Sequence, residues 1–272
     1  MTEADGDRAL YLYGVVRDGQ PVPACGPVVE VVSCSSLAAV VESVPRHEFS
    51  SDALEVKLQC IDWVAQLARK HSAVLGQLMR HGPVVPARLC TLFSSASALA
   101  IALTEGAQRF HDALRLFDGR QEWSCKLFYD HARLRAIACA DDPGVRALAS
   151  RAATASPGNA YVLNKQRDAR LSEVVAARID AIVDEVIVQI DPEVADLRLR
   201  ALLAEAATGR PERMALNAAL LVDVERATAL HTSLGALRSR LGGEGFALEL
   251  TGPWPPYSFC DGEPGSGALE AE

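Results

Sequence analysis

Runs of apolar and β-branched residues predict three strands at the start of the chain. Residues 9–16 are apolar on both faces of the predicted strand, which is typical of a central strand in a sheet. Residues 28–34 and 37–44 form a second and a third run, and Ser35-Ser36 separates them. Such a short polar spacer between two strand-forming runs predicts a hairpin.

After this hairpin the apolar spacing becomes that of a helix. Over residues 54–79 apolar side chains recur at steps of three, four or seven and draw a stripe along one helix face: Leu54, Leu58, Ile61, Ala65, Ala68, Leu75 and Met79. Ser51-Asp52 is the predicted N-cap, and His81-Gly82-Pro83 is the predicted end. An extended stretch over 84–93 and a second helix over about 97–117 complete the first half.

The second half alternates strands and helices in the order β-α-β-β-α-β. Its four predicted strands are residues 123–129, 195–201, 214–222 and 246–250. The first two are joined by a long helix with the stripe Leu171, Val175, Ile179, Ile182, Val186 and Ile190. The last two are joined by a helix over about 224–241, and the Pro- and Gly-containing stretch 142–158 predicts a linker. This order is that of the split-βαβ, ferredoxin-like arrangement.

These patterns predict an α+β protein with two domains, which suits a length of 272 residues. We expect a mixed α+β domain over residues 8–120 and a ferredoxin-like βαββαβ domain with the long helix over 121–260. Residues 261–272 are rich in glycine and acidic side chains, a composition that predicts a disordered tail.

Charge and hydropathy exclude several classes of function. A net charge of −8 is the wrong sign for a protein that neutralises nucleic-acid phosphates or docks on anionic lipid. Mean hydropathy is only +0.09, and no long uncharged apolar stretch predicts a membrane span. Residues 1–8 carry acidic side chains where a signal peptide carries basic ones, so we expect a cytoplasmic protein.

No motif points to catalysis, a cofactor or a metal. The chain has no phosphate-binding loop, nucleophile elbow or H-E-x-x-H sequence, and its 7 cysteines include no C-x-x-C pair. A zinc site built from His71, His81 and Cys90 fits no standard spacing. Acid–base pairs such as Asp141 with Asp142 are more typical of caps or solvated surface. We therefore expect no catalytic residue, no bound metal or cofactor, and no disulfide needed for folding.

The unusual segment is residues 250–259, where three prolines surround Trp254 and two further aromatics follow. Proline removes backbone donors, so this segment is predicted to leave the sheet interior as a stiff arm. Trp254 then either packs over a sheet end or the first domain, or remains exposed as an anchor for a partner. We expect packing, in which case its loss costs about 3–5 kcal/mol of stability.

This segment, with residues 248–251 before it, resembles the closing motif of the gas vesicle accessory proteins of the L/F type. Further similar motifs extend the resemblance over about residues 10–259: residues 11–16, 85–93, 122–127, 157–162 and 216–222. The family pattern has a glycine at the position of Cys90. The resemblance implies a non-enzymatic, cytoplasmic or vesicle-associated accessory protein that binds the hydrophobic shell protein and other assembly factors.

The residues expected to contact a partner are the aromatics of the opening strand and of the closing motif: Tyr11, Tyr13, Trp254, Tyr257 and Phe259. A partner strand or helix is also expected along a free edge or groove of the first domain. The alternative is a small-molecule-binding or enzymatic ferredoxin-like protein, which a deep polar cavity with perturbed titratable groups would favour.

Overall fold

The computed structural model describes residues 7–22 and 29–260 of the chain. The elements of the first half are β1 (Arg8–Arg17), β2 (Glu30–Cys34), β3 (Leu37–Pro45), α1 (Ser51–Lys57), α2 (Ile61–Leu78), β4 (Val85–Pro86), β5 (Leu92–Phe93), α3 (Ala96–Glu105) and α4 (Ala107–Leu116). The elements of the second half are β6 (Arg120–Tyr129), α5 (His131–Asp141), α6 (Pro143–Ala153), α7 (Pro157–Ile190), β7 (Asp196–Leu199), α8 (Glu205–Thr208), β8 (Arg213–Asp223), α9 (Ala227–Gly243) and β9 (Phe246–Trp254).

The first sheet has the order β2-β3-β1-β4, and β5 also pairs with β1. The predicted central position of the first strand and the predicted hairpin are both confirmed. Because β3 lies on one side of β1 and β4 and β5 lie on the other, β1 presents no free edge to a partner. Between the two short strands, Leu12 N–H donates to the Thr91 carbonyl at 2.9 Å and Ala87 N–H donates to the Tyr13 carbonyl at 2.9 Å. A partner strand that adds to a free edge of this sheet therefore cannot pair with β1.

Gly14 allows β4 to approach β1 closely. A Cβ at this position would lie 2.8 Å from the Val85 carbonyl oxygen and 2.9 Å from Cγ2 of Val84. Contacts this short are repulsive, so any side chain here would push the two strands apart.

The predicted helix over 54–79 is two helices, α1 and α2, and its apolar stripe is partly wrong. The chain turns between Leu58 and Cys60, where Cys60 N–H donates to the Lys57 carbonyl at 3.0 Å. The turn resets the helical phase, so Leu58 and Ile61 are 52% and 84% exposed instead of buried. The side chain that caps α1 is Ser50, not Ser51-Asp52.

The second sheet has the order β7-β8-β6-β9, and β7 pairs antiparallel with β8. Five residues of the predicted α7 stripe are fully buried in the core beneath this sheet: Leu171, Val175, Ile182, Val186 and Ile190. The α+β class, with two antiparallel sheets, is thus confirmed.

The predicted linker over residues 142–158 contains helix instead. Asp142 accepts a hydrogen bond from Val145 N–H at 2.8 Å and so caps α6, with Pro143 in its first turn. Pro157 likewise stands in the first turn of α7. The N–H groups of the first turn have no acceptor within the helix, so a proline there loses no hydrogen bond. A proline in the sequence can therefore mark the start of a helix as well as its end.

Contacts divide the chain into two units. One comprises the described residues up to Glu122 together with those from Pro253 onward, and the other spans Trp123–Gly252. The closing aromatic segment groups with the first unit. The predicted disordered tail, residues 261–272, lies outside the described residues.

Candidate partner-binding surfaces

The closing segment of the first unit is held firmly by its buried members. Pro255, Pro256 and Phe259 are buried, and Phe259 is only 1% exposed. Tyr257–Phe259 forms a single 3₁₀ turn. Ser258 donates from its backbone N–H and from its hydroxyl to the two carboxylate oxygens of Glu122, at 2.8 and 2.6 Å. The segment is therefore ordered by contacts within the unit.

Trp254 and Tyr257 are the exposed aromatics of this segment. They keep 48% and 41% of their surface in contact with solvent. The prediction that Trp254 is buried by packing is wrong, since about half of its surface is exposed, whereas Pro255, Pro256 and Phe259 are buried. β9 also runs on to Trp254 through Pro253, which is possible because β9 is an edge strand and such a strand needs no donor on its outer side.

Tyr11 and Tyr13 of β1 lie in the core of the first unit. Each is 1% exposed, and their rings meet edge-on with centroids 5.0 Å apart. Phe259, the remaining predicted contact residue, is also buried. Of the five predicted contact residues, Trp254 and Tyr257 alone present large surfaces to solvent.

A buried histidine connects α2 to β1 and to the loop before β5. His71 Nε2 lies 3.1 Å from the Ala87 carbonyl oxygen, and its Nδ1 lies 2.8 Å from the Tyr11 hydroxyl oxygen. A carbonyl only accepts hydrogen bonds, so in the neutral ring Nε2 carries the proton and Tyr11 donates to Nδ1. Burial lowers the pKa of His71 to about 4, with the Ala87 hydrogen bond acting in the opposite direction. His71 is therefore a neutral structural residue at physiological pH.

A second polar group contacts the same strand from β3 and α2. Tyr13 donates to Oε2 of Glu42 at 2.6 Å, and Lys70 Nζ lies 2.7 Å from Oε1 of the same carboxylate. Burial raises the pKa of Tyr13, and the hydrogen bond to Glu42 adds to the increase. Both oxygens of Glu42 are thus engaged within the fold.

A cleft of about 260 Å³ opens beside this group. Its wall includes Glu42, Glu48, Phe49, Trp63 and Lys70. Phe49 and Trp63 contact each other with ring centroids 6.2 Å apart, and the ammonium of Lys57 lies over both rings. The apolar pattern of the sequence did not predict this cleft, because the stripe predicted over residues 54–79 has the wrong helical phase for α2. A stripe with steps of three and four does mark the inward face of α2: Trp63, Leu67, His71, Val74 and Leu78.

A larger and mostly apolar groove, of about 510 Å³, lies in the second unit. Leu134, Ile137 and Val175 from α5 and α7 form part of its floor. At its rim, Asp142 binds Arg170 at 3.1 Å and Glu244 pairs with Arg178. These rim charges are already compensated within the chain, so the groove offers apolar contact more than charge.

The described part of the chain contains neither a cluster of metal-binding side chains nor a membrane-spanning helix. Over residues 7–22 and 29–260, no three His, Cys, Asp or Glu side chains converge as a metal site, and this includes the trio His71, His81 and Cys90. None of the helices described is both long enough and apolar enough to cross a bilayer.

Comparison with known proteins identifies the family. The family model described as "Gas vesicle synthesis protein GvpL/GvpF" matches residues 9–261. The chain belongs to the GvpL/GvpF family. It is 31% identical over 260 residues to gas vesicle protein L of a Streptomyces species, with 93% of each chain covered. It is 29% identical over 272 residues to gas vesicle protein L2 of Halobacterium salinarum, again with 93% of each covered.

Solved GvpF structures share the fold. The crystal structure of GvpF from Anabaena superposes with a TM-score of 0.71 at 15% identity, covering 94% of this chain and 99% of that one. The crystal structure of GvpF from Microcystis aeruginosa gives 0.65 at 16% identity, covering 93% and 99%. Membership of this family implies a role in gas vesicle formation.

Proposed function

We propose that this protein is a non-enzymatic accessory factor of gas vesicle assembly that binds the hydrophobic shell protein, and other assembly factors, in the cytoplasm and at the growing vesicle. The observation that carries the proposal is the closing segment, in which Trp254 is exposed at the end of β9 and Tyr257 is exposed on the turn held by Phe259 and Ser258. Large aromatics on a rigid support are typical anchors of protein interfaces.

The physical need for such a factor follows from the nature of a gas-filled shell. Its subunits must turn an apolar face to the gas, and the same face aggregates in water. A partner with exposed aromatics covers apolar surface, while a net charge of −8 favours solubility of the complex.

We assign the contact itself to Trp254 and Tyr257, and a supporting role to Phe259, Tyr11 and Tyr13. The last three are 1% exposed, so they contribute to the packing of the fold and not to its surface.

The enzymatic alternative has weaker support. The strongly perturbed histidine, His71, uses both ring nitrogens in hydrogen bonds to Tyr11 and Ala87. Glu42 is likewise occupied by Tyr13 and Lys70. Groups already engaged in this way serve the fold, and a binding role fits the exposed aromatic segment better.

We also infer that the second unit is a ferredoxin-like module. In support, the four strands lie in the order β7-β8-β6-β9, and helices separate β6 from β7 and β8 from β9. That arrangement matches the split-βαβ pattern inferred from the sequence.

The test is a titration of the full chain with purified shell protein at low and high ionic strength. Apolar binding should survive high salt, because salt at 1 M screens charges beyond about 3 Å and leaves apolar contact largely intact. We expect Trp254→Ala and Tyr257→Ala each to weaken binding about ten-fold or more, as typical for anchor residues. Tyr161→Ala, which removes a tyrosine that is 62% exposed in the second unit, is the matched control. Equal affinity of all three variants would exclude the closing segment as the contact.

A further inference from the structure

The ammonium of Lys57, the last residue of α1, lies among a carboxylate, a carbonyl and two aromatic rings. Its ammonium donates to the Glu48 carbonyl at 3.0 Å and lies 3.3 Å from a carboxylate oxygen of the same residue. The same nitrogen lies 5.7 Å from the centroid of the Phe49 ring and 5.5 Å from that of Trp63. A carboxylate, a carbonyl and two aromatic faces are the groups that recognise ammonium and guanidinium ions. We call Glu48, Phe49 and Trp63 the cation seat.

The cation seat adjoins open space. All three of its residues also line the cleft of about 260 Å³ in the first unit. Lys70, on the same wall, is 2.7 Å from Glu42 and offsets that charge, so Glu48 is the carboxylate that remains for a ligand. A ligand in the cleft therefore reaches the same aromatic pair and the same carboxylate as Lys57.

Lys57 is held in a way that permits its displacement. α1 is seven residues long and has no buried residue. The Lys57 side chain is 28% exposed and that of Glu48 is 48% exposed, and ion pairs this accessible to water contribute little to stability. A competing cation can thus replace Lys57 without disturbing the core of the unit.

Exposed apolar residues lie close to Lys57 in the sequence. Val56 and Ile61 are 72% and 84% exposed, and Leu58 between them is 52% exposed. A ligand that contacts both the cation seat and these apolar residues carries a basic side chain flanked by apolar ones. A net charge of −8 further favours the approach of a basic partner.

We propose that the cation seat binds a lysine or arginine side chain of a partner protein, within a segment whose neighbouring side chains are apolar, and that Lys57 occupies the seat in the unbound protein. The site shares no residue with the closing aromatic segment and does not depend on the identity of the shell-binding surface. Binding at this site should depend on the charge of the ligand, because of Glu48, and on the rings of Phe49 and Trp63.

The experiment uses the full chain and two peptides, acetyl-Leu-Arg-Leu-amide and its citrulline analogue, which has nearly the same shape without the charge. Isothermal titration calorimetry at low ionic strength should give an affinity for the arginine peptide about ten-fold higher than for the citrulline peptide, as expected for a partly desolvated cation–π and carboxylate site. High ionic strength should reduce this difference.

Two variants test the competition by Lys57. Lys57→Met removes the internal cation and should tighten binding of the arginine peptide about five- to ten-fold, because the ligand no longer displaces an occupant. In the Lys57→Met protein, the further substitution Glu48→Gln should lower the affinity for the arginine peptide to that for the citrulline peptide. Lys165→Met, which removes an ammonium 5.1 Å from the Tyr161 ring in the second unit, is the matched control and should change nothing.

Three results would overturn the proposal. They are equal binding of the arginine and citrulline peptides, an affinity unchanged or reduced by Lys57→Met, and an equal gain from Lys57→Met and Lys165→Met. If Trp254→Ala abolishes binding of the shell protein, the affinities for the two peptides should not change. The proposal for the cation seat and the proposed function can therefore fail independently.

Discussion

The carboxylate of Glu122 accepts two hydrogen bonds from Ser258, a residue 136 positions further along the chain. Glu122 is 6% exposed, so this contact is made away from bulk water. Hydrogen bonds to a charged acceptor are stronger than those between neutral groups. The pair therefore fixes the turn that presents Tyr257 and buries Phe259.

Ser258→Ala should lower the free energy of unfolding by about 1–3 kcal/mol, because the substitution removes a hydrogen bond to a buried carboxylate. Urea unfolding measures the change. Ser239→Ala is the matched control, since its hydroxyl bonds the Gly235 carbonyl on the exposed side of α9. The same loss in both variants would contradict a special role for the Glu122 contact.

Phe259→Ala and Trp254→Ala should differ sharply in stability, although both remove an aromatic side chain from the same segment. Phe259 is 1% exposed, so its loss leaves a cavity and should cost about 3–5 kcal/mol. Trp254 is 48% exposed, so its loss should cost about 1 kcal/mol or less. Thermal unfolding of the two variants checks this order. A larger loss for Trp254→Ala would mean that this side chain packs in solution.

His71 should make the protein less stable in mild acid. The pKa of the buried ring is about 4, against about 6.5 in an unfolded chain. Between these values the unfolded chain binds a proton that the folded chain does not. The stabilising contribution is therefore complete above about pH 6.5, decreases as the pH falls toward 4, and amounts to about 3 kcal/mol in total.

The measurement is the free energy of unfolding in urea between pH 4 and pH 7 for the parent chain and for His71→Gln. Glutamine does not titrate, so the difference between the two curves should change by about 3 kcal/mol over this range. A curve for His71→Gln that runs parallel to that of the parent chain would refute the assignment.

Cys90→Gly should stabilise the protein by about 1 kcal/mol. Cys90 has a φ of 64°, in the left-handed region, where a side chain is strained and glycine is not. The resemblance in sequence places a glycine at this position, and the backbone supplies the physical reason. Cys90→Ala keeps the strain and should give no gain. Chemical unfolding of both variants measures the difference, and equal stabilities would show that the strain is negligible.

Local sequence determined most of the secondary structure of this protein. The continuous apolar run of β1, the hairpin spacer at Ser35-Ser36 and the long stripe of α7 each carry their own signal, because strand and helix periods depend on neighbouring residues. The predicted linker over residues 142–158 is wrong because the signal of its prolines is ambiguous. Pro143 and Pro157 indicate a break or a start equally well, and the structure has them as starts.

The tertiary structure alone decided which side chains are buried and which are exposed. Ile61 fits an apolar stripe, yet it is 84% exposed because a turn at residues 58–60 changes the phase of the helix. Trp254 is 48% exposed, whereas Phe259 is buried in the turn that Glu122 holds through Ser258. The contact between Glu122 and Ser258 joins residues 136 positions apart in sequence. Local periodicity contains no information about such pairs, so the sequence determined the elements and the packing determined the surfaces.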